Sequence, residues 1–396
     1  MPESWSVLSF AEFATLHRGY DLPIQDRKKG SVPIVGSNGI VGYHYKAKVK
    51  GPGVVTGRSG SIGLSYYVSD DYWPLNTGLY VEDFHGNNPL YVHYFFQSFN
   101  FGKYAAGVSV PTLNRNLVHD VSISVPQIHE QQKIAAVLFK IQQAIEIQES
   151  MILKMRELKK STLHHVFTHG LREEKLKETE IGLMPESWDL INIGKYCDVR
   201  SSTVSFNELN QGRSDDNDIL CYAIKVSDMN LPGNEKYIFT ANIETKLSSK
   251  LVSEKAIPAN SVIFPKRGAA IATNKKRLTT LWSLLDPNLI AITPRARITS
   301  EFLYYWFLTF DLASIQDLGP TPQLNKKDVE PISIPCPSDS EQFEISNIFR
   351  SIDQKIDLHT AKKSALQDLF KTMLNKLMTG EIRVKDLDID ISEVSA

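Results

Sequence analysis

Cysteine is scarce in this 396-residue chain: the three present, Cys197, Cys221 and Cys336, stand far apart. No metal, redox or disulfide spacing can be drawn from them, and a reduced, cytoplasmic setting is the expectation. Long apolar runs are missing, with no stretch approaching the ~18 consecutive apolar residues of a membrane span. The opening Met1-Pro2-Glu3-Ser4-Trp5 has no basic segment leading into an apolar one, so no secretory signal is expected. Excess charge of either sign is missing too, since 44 Lys/Arg meet 45 Asp/Glu. By segment the balance is +1 for residues 1–126, +2 for 127–175, −1 for 176–335 and −3 for 336–396. No bulk field draws the chain onto nucleic acid; attraction to phosphate must come from local clusters. Nucleotide-binding strings are also lacking. There is no P-loop, and Gly36-Ser37-Asn38-Gly39-Ile40-Val41-Gly42 lacks the tight G-x-G turn of a dinucleotide fold, so it reads as turns around a strand.

What the chain does contain is a duplication. Ile134, Leu138, Ile141, Ile145, Gln148, Ile152, Met155, Lys159, Thr162 and Val166 step alternately by four and three. At a constant offset of 211 the same series recurs as Ile345, Phe349, Ile352, Ile356, His359, Lys363, Leu366, Phe370, Met373 and Leu377. A mean spacing of about 3.5 residues is that of a coiled-coil seam. The helix-pairing seam is assigned to Ile134, Leu138, Ile141, Ile145, Ile152 and Met155 with Ile345, Phe349, Ile352, Ile356, Leu366 and Phe370. Glu130 to Thr168, 39 residues, predicts a rod of roughly 58 Å. Such a helix needs a partner along its length, and the other copy is the obvious one. The expected arrangement is antiparallel about a pseudo-twofold axis, one domain at each end. Gln148 and His359 would then meet near the crossing, His359 as a polar register marker.

The repeat extends beyond the helices. Met1-Pro2-Glu3-Ser4-Trp5 returns as Met184-Pro185-Glu186-Ser187-Trp188 at an offset of 183, and Pro111-Thr112-Leu113-Asn114 as Pro322-Gln323-Leu324-Asn325 at 211. The second globular part is therefore 28 residues longer, a preserved frame around unlike inserts. The predicted organisation is a domain over 1–126, a spacer helix over 127–175, a second domain over 176–336, a second helix over 337–385 and an acidic tail over 386–396. The fold class is α+β. Val32–Val35, Gly53–Thr56, Gly78–Val81, Val262–Phe264 and Leu289–Ile292 read as strands, and Leu90–Phe99 and Phe302–Leu308 as short aromatic helices. Residues 207–218 read as a polar loop. Ser338-Asp339-Ser340-Glu341 has capping-box spacing, and Gly170 and Gly380 stand where helix C-termini favour glycine. Trp5 and Trp188 are expected to pack each domain onto a helix end.

This layout resembles the specificity subunit of type I restriction–modification systems over nearly the whole chain. The passages that carry the resemblance in the first copy are Pro33 to Gly39, Gly57 to Gly63 and Trp73-Pro74-Leu75-Asn76-Thr77. In the second they are Phe264 to Ala272 and Leu285 to Leu289, followed by the helix ending Leu377 to Val384; the Pro-x-Leu-Asn turns and Glu-Gln helix starts occur in both. The resemblance implies two target-recognition domains, each reading half of a bipartite, asymmetric site in double-stranded DNA. It implies spacer helices that set the gap and dock two modification subunits, with restriction subunits joining in the full complex. This chain would be non-catalytic, with S-adenosylmethionine, ATP and Mg in partner subunits and no cofactor or metal here. Asn88-Pro89-Leu90-Tyr91 is similar to the Asn-Pro-Pro-Tyr motif of adenine methyltransferases, but Leu holds the third position and no cofactor loop precedes it, so it reads as a helix start. The competing readings are a stand-alone methyltransferase or nuclease, and a coiled-coil scaffold that does not bind DNA.

Candidate DNA contacts follow from side-chain chemistry, since arginine can grip guanine bidentately and lysine or arginine can hold phosphate. In the first domain they are Arg58 and Ser59 in a Gly-rich loop, with Lys46 and Lys48, which alternate with Lys50 along a predicted strand. In the second they are Lys266 and Arg267, with Lys275, Lys276 and Arg277 across a small-residue stretch. The bland alternative for each is a solvated surface charge. Asn114 and Asn325 recur in both copies, which favours a turn role over base reading.

Overall fold

The computed structural model describes residues 5–106, 111–201, 206, 218–317, 319, 322–392 and 394. Two compact units emerge, Met1–Met151 with His359–Ala396, and Ile152–Leu358. Both borders fall within long helices, Ile128–His169 and Asp339–Met378, so each unit holds a mixed domain and a stretch of both helices. Among the described residues no helix is long and apolar enough to cross a membrane.

Unit 1 is framed by Ser6–Ser9 running antiparallel to Ser122–Val125, with Ser6 opposite Val125. Between them lie a four-stranded sheet, ordered Thr15–Arg18, Gly78–Asp83, Gly53–Gly57, Ser65–Val68, and a three-stranded one, Gly39–His44, Val32–Gly36, Trp73–Pro74. The glycine string at 36–42 spans the Ser37–Asn38 turn of a hairpin and the start of its second strand, Gly39–His44, as expected of turns around a strand. Pro89–Ser98 is helical because Asn88 caps it: the Asn88 side-chain oxygen accepts from the Tyr91 amide at 2.9 Å and Pro89 stands in the first turn, where its missing N–H costs nothing. Its buried Tyr91, Val92, Phe95 and Phe96 join Phe10, Phe13 and Phe101 in one core. Each such ring, fully buried, contributes roughly 1.5–3 kcal/mol.

Unit 2 repeats the frame. Asp189–Asn192 runs antiparallel to Ser333–Cys336, with Asp189 opposite Cys336, at offsets of 183 and 211 from the pair in unit 1. Its sheets are five-stranded, Cys197–Arg200, Leu289–Pro294, Val262–Pro265, Arg277–Thr279, Tyr237–Ile238, and three-stranded, Glu244–Leu247, Ile219–Ile224, Ser283–Leu285. The aromatic helix is Ser300–Thr309. Of the polar loop expected at 207–218, residues 207–217 lie outside the described residues.

The long helices pair antiparallel within each unit. In unit 1, Ile134 and Leu138 share a core with Leu374, Leu377 and Met378. Farther along, the His359 Nδ1–H donates to Gln148 Oε1 at 2.8 Å and Lys363 meets Glu149 at 2.8 Å. The two polar seam residues do meet. In unit 2, Leu163, Val166 and Phe167 share a core with Ile345 and Phe349, and Lys159 pairs with Asp353 at 2.5 Å. Of the seam residues, Ile134, Leu138, Ile145, Ile152, Ile345 and Phe349 are buried, while Ile141, Met155, Ile352, Ile356, Leu366 and Phe370 are half-buried. Gly170 and Gly380 close the helices at φ 72° and 71°, backbone that favours glycine.

One expectation is corrected. The capping box at Ser338 is half formed: Ser338 Oγ accepts from the Glu341 amide at 3.4 Å, but the Glu341 carboxylate turns inward. It is buried, and a buried carboxylate needs donors; Trp188 Nε1 at 3.1 Å and the Leu171 amide at 3.3 Å supply them. Unit 1 matches it, Trp5 Nε1 donating to Glu130 at 3.2 Å. Each tryptophan thus secures its domain to a helix start, as expected. The acidic tail expected over 386–396 is described for residues 386–392 and 394, and these dock on unit 1. Ile389, Ile391 and Val394 pack on the unit 1 core while Asp388 and Asp390 face solvent. The Asn88 side-chain Nδ2 donates to the Val394 carbonyl at 2.7 Å, and the Lys133 ammonium to the carbonyls of Lys385 and Leu387, both at 2.7 Å. Acidic residues alternating with apolar ones give this segment a face to bury.

Candidate nucleic-acid interface

In unit 1 the strand Gly53–Gly57 delivers the chain into a tight loop. A Cβ on Gly57 would stand 1.9 Å from the Ser61 carbonyl oxygen, so only glycine fits. The next residue, Arg58, is held by its main chain: its amide donates to the Thr77 carbonyl at 3.0 Å, and its carbonyl accepts from the Leu113 amide at 2.8 Å. The Arg58 guanidinium leans on the Asn76 carbonyl at 3.5 Å, and Ser59 bridges to Thr112. The loop is thereby fastened to the Pro-x-Leu-Asn turn. An open depression of about 370 Å³ results, lined by Arg18, Arg58, Thr112, Asn114, Arg115 and Asn116 among others. Asn114 serves the turn: its Oδ1 accepts from the Asn116 amide at 3.1 Å.

Unit 2 fastens the matching loop with the same bonds. The Lys266 amide donates to the Asn288 carbonyl at 2.8 Å, and the Lys266 carbonyl accepts from the Leu324 amide at 2.9 Å. The Lys266 ammonium donates to Ser201 Oγ, and burial, then the neighbouring Arg267 charge, lower its pKa. Arg267 is exposed and bridges to Gln323. Asn325 caps the short helix Lys326–Val329 in a capping box with Asp328. Both recurring asparagines are thus turn residues, as expected.

The remaining candidates divide. Lys46 and Lys48 are exposed, but the strand ends at His44, so their alternation is not that of a strand. Val49 forms an isolated bridge to Tyr72, and the Lys48 amide donates to the same Tyr72 carbonyl at 3.0 Å. Lys48 instead lays its ammonium 4.9 Å over the Tyr20 ring. Lys275 reaches Asn230 Oδ1 and lines, with Arg277, a second depression of about 300 Å³. Arg277 is anchored to the Met229 and Lys276 carbonyls at 3.0 and 2.8 Å. Lys276 is a correction. It is 1% exposed, donates to Asn274 Oδ1 and the Phe310 carbonyl, both at 2.7 Å, and burial pushes its pKa down to about 8. Its place next to two accessible cations hid that its side chain points into the core, where it ties the segment to the end of the aromatic helix. Arg18 and Arg115, by contrast, are lone arginines in the sequence; the recurring asparagine followed by a cation, Arg115 in one copy and Lys326 in the other, marks Arg115, and no local signal marks Arg18.

Comparisons with known proteins bear on this geometry. The family described as "Type I restriction modification DNA specificity domain" matches residues 2–155 and again residues 185–368. The chain is 27% identical over 312 residues to the putatively assigned type I restriction enzyme MjaX specificity subunit of Methanocaldococcus jannaschii, covering 75% of this chain and 69% of that one. It is 22% identical over 294 residues to the MjaVIII specificity subunit of the same organism, covering 71% and 67%. Among solved structures, the S subunit of a type I restriction–modification system from M. genitalium aligns with a TM-score of 0.63 at 16% identity, over 94% of this chain and 96% of that one. A chain from a structure concerned with complex assembly and conformational transition of the type I R-M system aligns with a TM-score of 0.58 at 15% identity, over 96% and 99%. At these identities the structural likeness speaks for the fold.

Proposed function

Since this chain belongs to the type I restriction–modification DNA specificity family, whose domain it carries twice, we propose that it is the DNA sequence-recognition subunit of a type I restriction–modification complex. Each domain, about 1–126 and 176–336, reads one half of a bipartite, asymmetric site. The paired helices set the gap between half-sites and dock two modification subunits. Specificity subunits are non-catalytic; methyl transfer with S-adenosylmethionine belongs to the modification subunits, and ATP- and Mg-dependent translocation and cleavage to the restriction subunits, all in the cytoplasm. The observation that carries this reading is the double family match laid over two units built on one frame with unlike inserts. One frame means one way of presenting a domain to DNA; unlike inserts mean unlike half-sites. Arg58, Ser59, Lys46 and Lys48 in the first domain, and Lys266, Arg267, Lys275 and Arg277 in the second, are the proposed DNA contacts.

The test is methylation mapping in cells that express the chain with its modification subunits. Methylated adenines are expected in a two-part motif with a fixed gap. Removing one heptad from each long helix takes away about 10 Å of rod, close to three base pairs of duplex, and should shorten the gap accordingly. An unchanged gap would reject the helices as a ruler. Saturable S-adenosylmethionine binding by the chain alone would favour a stand-alone methyltransferase instead, and absence of salt-sensitive DNA binding a scaffold.

A further inference from the structure

We propose that both domains carry, at one point of the repeated frame, a cationic seat for the phosphodiester backbone of the duplex. It comprises Arg18, Arg58 and Arg115 in unit 1 and Lys266, Lys326 and Lys327 in unit 2. This rests on the reading of the chain as a DNA-recognition subunit and assigns these residues to the backbone rather than to the bases.

The correspondence is set by main-chain bonds. Arg58 and Lys266 occupy one position, each amide bound to the residue 211 apart in the repeat, Thr77 or Asn288, and each carbonyl bound to Leu113 or Leu324. Two residues beyond those leucines stand Arg115 and Lys326, each directly after an asparagine that caps a short helix. Arg18 lines the same depression as Arg58 and Arg115. Lys326 and Lys327 are exposed, and Lys326 shares Glu330 at 3.3 Å across one helical turn, a surface pair of little strength that a phosphate can replace.

Two physical arguments assign these cations to phosphate. Two domains that read different half-sites need different base readers, yet this point of the frame keeps positive charge in both. The ligand it serves must be common to every sequence, which is true of the backbone and not of base edges. The cations also exchange type between copies, arginine at 58 and 115 for lysine at 266 and 326. An arginine-for-lysine exchange is not conservative at a bidentate base contact, which uses the planar fork of arginine, whereas a phosphate accepts either as a positive charge. Arg267 stands outside this seat, because unit 1 has Ser59 at that point.

The test uses the complex of the full chain with its modification subunits and two duplexes, one with the mapped target and one scrambled. Binding is measured across a salt series for wild type, Arg115→Gln, Arg115→Lys and Lys326→Gln/Lys327→Gln. The log–log salt slope should flatten by about 0.9 for each cation lost, equally on both duplexes, with the methylated motif unchanged and Arg115→Lys restored to wild type. A slope that stays at the wild-type value overturns the seat, as does a loss confined to the target duplex. The lysine pair is exposed, so its replacement reports on DNA even if Arg115→Gln unfolds. If wild type itself shows no salt-dependent binding to either duplex, the DNA-recognition reading fails, a result distinct from failure of the seat alone.

Discussion

In unit 1 the aromatic helix Pro89–Ser98 puts Leu90 and Tyr94 into an apolar core on which Phe139 and Phe370 of the long helices pack, with the Tyr94 and Phe370 rings 5.9 Å apart. In unit 2 the positions 211 residues on are Glu301, Tyr305 and Arg350, and Lys159 stands where unit 1 has Phe370. There Glu301 binds Arg350, accepts from Tyr237 at 2.5 Å and pairs with Lys236 at 3.2 Å. Tyr305 donates to Asp353 at 2.8 Å, and Asp353 pairs with Lys159 at 2.5 Å. One joint of the repeated frame is apolar and its twin is ionic. Lys236 and Tyr237 come from the stretch between Arg200 and Val262, where unit 2 is longer, so the ionic seat goes with the insert. An apolar seat accepts any apolar occupant of suitable shape. A half-buried ionic seat favours only a domain with complementary charges, and a wrong partner leaves charges desolvated and unpaired.

The largest effect comes from breaking that ionic seat at one point. Glu301→Leu leaves Lys236 and Arg350 without their carboxylate and should destabilise unit 2 by about 3–5 kcal/mol, read as a lower Tm and denaturation midpoint. Installing the unit 1 set together, Glu301→Leu, Arg350→Phe, Asp353→Gln and Lys159→Phe with Lys236→Met, should come within about 1 kcal/mol of wild type or exceed it, since a packed apolar replacement removes the desolvation penalty along with the pairs. Equal losses for the single change and the full set would show that the seat is not a network. The reverse change, Leu90→Glu in unit 1, should be as damaging as Glu301→Leu.

A second contrast lies at the helix starts. Arg383 grips Glu130 with two bonds, at 2.7 and 2.8 Å, whereas its counterpart Arg172 reaches Glu341 only at 3.9 Å and stays more than half exposed. The Leu171 amide already satisfies that carboxylate. Arg383→Ala should cost about 2–3 kcal/mol, because it removes the charged partner of a buried carboxylate while Trp5 still donates to it. Arg172→Ala should fall within about 0.5 kcal/mol of wild type in the same urea titration.

The frame was legible because its signals are local or periodic: seam spacing, the asparagine caps, the glycine C-termini and the offsets of 211 and 183. What stayed hidden depends on contacts remote in sequence. The core-facing direction of Lys276 is set by the Phe310 carbonyl, 34 residues away. The docking of Val394 is set by Asn88, and the inward turn of Glu341 by Trp188. No window of neighbouring residues contains these partners. The ionic seat was invisible for the same reason, its members coming from Lys159, the insert, the aromatic helix and the second long helix.

Acid sharpens the comparison of the two seats. Burial alone would raise the Glu301 pKa, but hydrogen bonds from Arg350 and Tyr237 and the Lys236 charge outweigh it and hold it at about 2, from an ordinary 4.5. A depressed carboxylate pKa contributes stability that is full above the unfolded value and is lost as pH falls toward the folded one. The ionic seat should therefore weaken between about pH 4.5 and pH 2. Glu301→Gln should lower Tm at pH 7 and flatten its fall over that acid range; an acid slope identical to wild type would show that Glu301 is not held ionised by its neighbours.

The smallest effect is expected at the polar pair inside unit 1's seam. Gln148 accepts from the His359 ring N–H at 2.8 Å, beside the Lys363–Glu149 pair at 2.8 Å. A polar pair in an apolar seam lowers stability but penalises slipped registers, because slippage leaves both groups facing apolar neighbours. Gln148→Leu/His359→Leu should therefore raise Tm, corresponding to about 1 kcal/mol at most, while weakening register. Cysteines replacing Glu149 and Lys363 read the register directly. With the polar pair intact they should cross-link efficiently. With both leucines present that yield should fall, and Glu149→Cys should begin to capture a cysteine placed one heptad away, at Ile356 or Phe370. If the 149–363 cross-link persists undiminished and no slipped product forms, the remaining seam residues fix the register by themselves, and the His359–Gln148 bond contributes only its own small energy to the pairing.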